Sequence, residues 1–145
     1  MAYQHILVAT DLMDDNIEVV TKAQELASKY QAQLSLVHVV ESLPGYASGY
    51  SGVVDLEEEM KQDAKQKLAE FGEKFGVAVA NQHLGMGSPK IVILHTAEKI
   101  NADMIVVGSH GRHGLSLLLG STASAVLHAG HSDVLVVHQR KNKTS

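Results

Sequence analysis

The chain has 145 residues, 45% of them hydrophobic, a net charge of -4 and no cysteine. That length fits a single domain over residues 1–145, able to bury about 68–70% of the surface of the extended chain. The mildly acidic balance gives no field to attract nucleic acid or anionic lipid, and the lack of cysteine excludes thiolate catalysis, disulfides and cysteine-based zinc sites.

Apolar runs alternate with helical patterns along the chain, the mark of parallel strands joined by crossover helices. His5 to Thr10 reads as the first strand, and residues 11–16 supply turn and capping types. Ile17 to Tyr30 is predicted helical, because Val19, Ala23, Leu26 and Tyr30 recur at i, i+4, i+7 and i+11. Gln33 to Val40 is the second strand. Glu41 to Val54, with Pro44, three glycines, Tyr46 and Tyr50, is a long loop that could close over a ligand or simply lie at the surface. A long helix follows from Asp55 to Phe75, with Leu56, Met60, Ala64, Leu68 and Phe75 as its apolar stripe. Glu57/Lys61, Asp63/Lys67 and Glu70/Lys74 are spaced to pair along its solvated faces.

Val77 to Leu84 is predicted as the third strand, with Ser88 and Pro89 as cap and first residue of a helix running to about Asn101. Met104 to Gly108 is the fourth strand, Ser121 caps a helix through Ala129, and Asp133 to His138 is the fifth strand. The expected architecture is an open, doubly wound α/β sheet of Rossmann-like type with helices on both faces. Ligands of such sheets sit beyond the strand carboxyl ends, where strand order reverses. Asp11, Val39 and Gly108 all fall at such ends.

Gly108-Ser-His-Gly111 follows a buried strand and precedes Gly120-Ser121-Thr122. Glycines there let main-chain N–H groups approach phosphate oxygens, although turn glycines serve structure alone in many loops. Arg112 adds a possible charge-assisted phosphate contact. Asp11 is either a ligand contact or a capping carboxylate for the helix near Ile17. His110/His113 and His128/His131 have i,i+3 spacing but no acidic partners, so no metal site is expected. There is no GxxxxGK[ST] and no GxSxG, and no catalytic residue is assigned. No apolar run approaches the ~18 residues of a membrane span and the start carries no leader pattern, so the expected address is the cytoplasm.

Taken in order, Ile6-Leu-Val-Ala-Thr-Asp11, Leu36-Val-His-Val-Val40, Asp103 to Gly111, Gly120-Ser121 and Asp133-Val-Leu-Val-Val137 resemble the universal stress protein family over nearly the whole chain. The resemblance implies an adenine nucleotide alpha hydrolase-like fold with strand order 3-2-1-4-5. It implies a cytoplasmic stress-response protein that binds ATP or a related adenine nucleotide, with or without Mg2+, and forms a homodimer through its last strand. Asp11 and the backbone at Val39 would face the adenosine end, while Gly108, Gly111, Gly120 and Ser121 hold phosphates. The family's nucleotide-binding pattern places nine residues between the second and third glycines. Here eight, Arg112 to Leu119, lie between Gly111 and Gly120, and a spacing of nine lands on Ser121-Thr122. The residue of difference is at most ~3.6 Å of reach. That difference keeps open a rival, a nucleotide-free dimeric interaction protein of the same fold; a third reading, of another class, is a slow nucleotide hydrolase or autophosphorylating protein using Ser121 or Thr122.

Overall fold

The structure is a computed structural model, and it describes residues 3–41, 52–109 and 132–139. Residues 42–51 of the predicted loop, with Tyr46 and Tyr50, the glycine segment from His110 onward and the predicted helix from Ser121 lie outside these residues. Five parallel strands form one sheet in the order β3-β2-β1-β4-β5. They are β1 (His5–Ala9), β2 (Gln33–Val40), β3 (Gln82–Met86), β4 (Met104–Gly108) and β5 (Asp133–Val137). The order reverses between β1 and β4, which makes the carboxyl ends of those strands the switch point.

Among the described residues the α-helices are α1 (Ile17–Tyr30), α2 (Val53–Phe75) and α3 (Pro89–Lys99). Val19, Val20, Ala23 and Ala27 of α1 join Leu68 of α2 against Ile6, Val8, Leu36 and Val106 on one sheet face. On the opposite face, Ile93 and Ala97 of α3 pack on Leu7, Val37, Val39 and Ile105. Right-handed crossovers require this split, because β1 to β3 advance in one direction and β3 to β4 returns in the other. The central strands are buried on both sides, which explains their continuous apolar runs.

Two boundaries differ from the sequence reading. The third strand starts at Gln82, not Val77. Gly76 ends α2 in a left-handed conformation (φ 70°), Val77 N donates to Gly72 O at 2.8 Å, and Gly76 N donates to Glu73 O at 3.2 Å. This glycine-dependent helix stop absorbs Val77. A short 3-10 turn, Val79–Asn81, then carries Val79 into solvent, so the apparent Val77/Val79 alternation is not a strand. The other difference is in α2, which starts two residues earlier than predicted, at Val53. Its apolar stripe engages the core through Ala64 and Leu68, while Leu56 is 47% exposed. Of its charges, Asp63 and Lys67 meet at 3.1 Å, and Lys61 meets Glu58 at 3.3 Å.

Candidate functional site at the switch point

Three chain segments leave the sheet around the β1/β4 switch point, and each is fixed by main-chain bonds. At the end of β1, Thr10 is fully buried. Its N–H donates to Val37 O (2.9 Å), its Oγ1 accepts from Leu12 N (3.0 Å), and its carbonyl accepts from His38 Nδ1 (2.8 Å). The carbonyl has no proton to give, so Nδ1 of His38 carries the hydrogen. These bonds hold Leu12 at φ 66°, a left-handed conformation that costs a residue with a side chain about 1–3 kcal/mol and is concentrated at functional sites.

Asp11 sits on this turn. Its Oδ1 accepts from Met13 N at 2.9 Å, closing a local turn rather than capping α1. The N-cap position belongs to Asn16, whose side chain makes no capping bond. Burial pushes the Asp11 carboxyl above its ordinary pKa, with Asp15 adding to the rise; the Met13 N–H opposes it, and His38 nearby also lowers it. A partly desolvated carboxylate at a strand end is a strong acceptor for hydroxyl or amide donors and repels phosphate.

At the end of β2, Val39 is 4% exposed, with its side chain in the α3-side core. The last β1–β2 pair is Ala9 with Val37. Val37 O faces β1 and Val40 O faces β3, where it accepts from Gly87 N. Strand alternation therefore turns the N–H and C=O of Val39 to the β1 side, past the point where β1 has left the sheet. A donor and an acceptor side by side on an extended backbone suit the edge of a heterocyclic base.

Gly108 ends β4 opposite Val137 of β5. Its φ is not in the left-handed region. What excludes a side chain is Gln139: a Cβ at Gly108 would overlap the Gln139 carboxamide, with Cδ at 2.7 Å, and approach Val19 Cγ2 to 3.1 Å. Gln139 is 2% exposed, its N–H donates to Ser109 Oγ (3.0 Å), and its Nε2 donates to Asp15 O (3.0 Å). With Ser109 N donating to Val137 O at 3.0 Å, one buried glutamine ties together the exits of β4 and β5 and the 3-10 turn Asp14–Asn16 before α1. Beside it, Asn16 is 2% exposed and its Oδ1 is a buried acceptor with no hydrogen-bond partner among the described residues.

The structure thus brings Asp11, Val39 and Gly108 to one end of the sheet. Gly111, Arg112, Gly120, Ser121 and Thr122 lie outside the described residues, as do His110, His113, His128 and His131. Among the described residues no three His, Cys, Asp or Glu groups cluster for a metal ion, and no helix is long and apolar enough to cross a membrane. Sequence reasoning missed Thr10, His38 and Gln139. Only His38 left a signal, a polar residue on the same strand face as Leu34 and Leu36.

The model of the universal stress protein family matches residues 2–138. Universal stress protein A homolog 2 of Coxiella burnetii is 42% identical over 139 residues, which cover 93% of this chain and 94% of that one. Universal stress protein A homolog 1 of the same organism is 40% identical over 144 residues, 97% of this chain and all of its own. Among solved structures, the protein MJ0577 superposes with TM-score 0.74 at 23% identity, over 98% of this chain and 100% of that one. A universal stress protein in complex with cAMP gives TM-score 0.54 at 24% identity, over 95% and 98% of the two chains.

Proposed function

The chain belongs to the universal stress protein family, and from that premise we propose that it is a cytoplasmic stress-response or signalling protein that binds ATP or a related adenine nucleotide at the β1/β4 switch point without efficient turnover. The observation that carries this reading is the meeting of Asp11 and the β1-side peptide groups of Val39 at one mouth of the sheet with Gly108. A base would bond the Val39 backbone, and Asp11 would accept from the sugar hydroxyls. Phosphates would be kept away from Asp11, towards Gly108, Gly111, Gly120 and Ser121, or Thr122 in the alternative spacing, with Arg112 as a charged partner. That a protein of the same fold holds cAMP, an adenine nucleotide, supports the ligand class.

Binding without turnover follows from what hydrolysis needs beyond positioned phosphates: an aligned water, an orienting group and charge relief at the leaving oxygen. The chain has no P-loop lysine motif. A phosphate-release assay should read no metal-dependent rate near the ~1–100 s⁻¹ of kinases, and such a rate lost on changing Ser121 or Thr122 would favour the hydrolase reading. The eight-residue glycine interval favours the second reading, a nucleotide-free interaction protein. Thermal melting with MgATP, ADP, AMP and cAMP separates the two. A ligand at ~100 times its Kd adds ~2.7 kcal/mol, or about 5–10 °C for a chain of this size, and Gly111→Val should remove that rise.

A further inference from the structure

β3 closes one side of the sheet, and all five of its residues are partly exposed. Gly87 N donates to Val40 O, so alternation turns the peptide groups of His83 and Gly85 towards β2 and those of Gln82, Leu84 and Met86 out along the open edge. α3 runs beside that edge. Its Ile91, His95 and Lys99 recur every four residues on one helix face and are exposed, Ile91 at 59%.

Between strand edge and helix lies a cavity of about 390 Å³, with Gln82, His83, Ile91, His95, Thr96 and Lys99 among its walls. None of its described lining residues is acidic. The His83 imidazole is held below its ordinary pKa by burial, with the nearby His5 and Lys99 adding to the effect. A row of outward N–H and C=O groups beside a helix wall is the geometry of strand addition, in which main-chain bonds give affinity and the walls select side chains.

We propose that the β3 edge and the exposed face of α3 form a docking groove for an extended acidic segment of a partner protein, which adds to the sheet beside β3. Gln82, Leu84 and Met86 would bond the segment's backbone, its carboxylates would meet Lys99 and His95, and Ile91 would cover an apolar side chain. Charge selects this occupant: Lys99 is a fixed cation in the groove wall and none of the described lining residues is acidic, so a segment that carries carboxylates complements it.

The test is fluorescence anisotropy with a labelled octapeptide alternating glutamate and valine. Saturable binding is expected, at least tenfold weaker (about 1.4 kcal/mol) for Lys99→Glu protein, for a lysine–valine octapeptide, and for the acidic peptide N-methylated at every second residue. Hydrogen exchange supplies a second readout on unmodified protein: the amides of Leu84 and Met86 should slow when the acidic peptide is added. Lys99 is exposed, so its reversal leaves the core intact. No saturation up to millimolar peptide, equal affinity for the lysine peptide, or indifference to N-methylation would each overturn the proposal. So would β3 edge amides already protected in peptide-free protein, with that protection lost on dilution, which would give the edge to a second copy.

Discussion

Replacing Gly108 by alanine tests the packing reason for a glycine at the end of β4. The backbone there is outside the left-handed region, so alanine meets no conformational penalty and even gains roughly 0.4–1 kcal/mol by restricting the unfolded chain. Against that gain stands the overlap of the new methyl with the Gln139 carboxamide, whose Cδ would lie 2.7 Å away. Gln139 has little room to retreat, being 2% exposed and bonded through Nε2 to Asp15 O at 3.0 Å. Overpacking of this kind costs about 1–3 kcal/mol, and loss of the Asp15 bond a further ~0.5–1.5 kcal/mol. The expected net loss is ~0.5–4 kcal/mol, read as a shift of the urea midpoint at unchanged m-value. A double-mutant cycle isolates the cause: in a Gln139→Ala background the carboxamide is gone, and Gly108→Ala should cost at least ~1 kcal/mol less than in the native background. A Gly108→Ala protein within ~0.5 kcal/mol of the native one, or an equal penalty in both backgrounds, refutes the packing argument.

Asp11→Asn keeps an acceptor for Met13 N–H and removes a carboxylate whose folded pKa is raised, chiefly by burial. A raised carboxylate binds its proton more tightly when folded, so its contribution to stability is present in acid and lost as pH rises through the folded pKa. The variant should therefore be more stable than the native protein at pH 7, with the difference gone below about pH 3.9, while its response to nucleotide weakens; pH-dependent urea titrations read the first and melting shifts the second. His5 and His83 are both lowered, first by burial, so the folded state binds fewer protons and stability should fall as pH drops below about 6.5. His83→Gln should flatten that fall, and an unchanged pH profile would contradict it. β5 is the other sheet edge, with Val134, Leu135 and Val136 partly exposed, and light scattering should give twice 15.6 kDa from pairing there; a monomer at tens of micromolar would contradict this.

The strands were legible wherever burial on both faces forced unbroken apolar runs, as in Ile6 to Ala9 and Met104 to Val107. The third strand was misplaced because Val77 and Val79 imitate a strand's alternation, and the left-handed Gly76 that ends α2 is a backbone event no apolar pattern records. At the site, Asp11, Val39 and Gly108 stood out as polar or glycine residues at strand ends. Gln139 did not. Its bond to Asp15 spans 124 residues and exists only after β4, β5 and the turn before α1 have been brought together. Thr10 likewise looked like the last residue of a strand, while its three bonds come from a turn, a neighbouring strand and a histidine 28 residues away.

Mass spectrometry of small molecules released from freshly purified protein tests nucleotide binding at the switch point most directly. An adenine nucleotide recovered near one per chain, and depleted in Asp11→Asn and Gly111→Val proteins that keep the native far-UV spectrum, is the predicted result. Protein that carries no nucleotide from the cell and whose melting point is unmoved by MgATP, ADP, AMP or cAMP would contradict it, and would mean that the eight-residue interval from Gly111 to Gly120 has cost this chain its ligand.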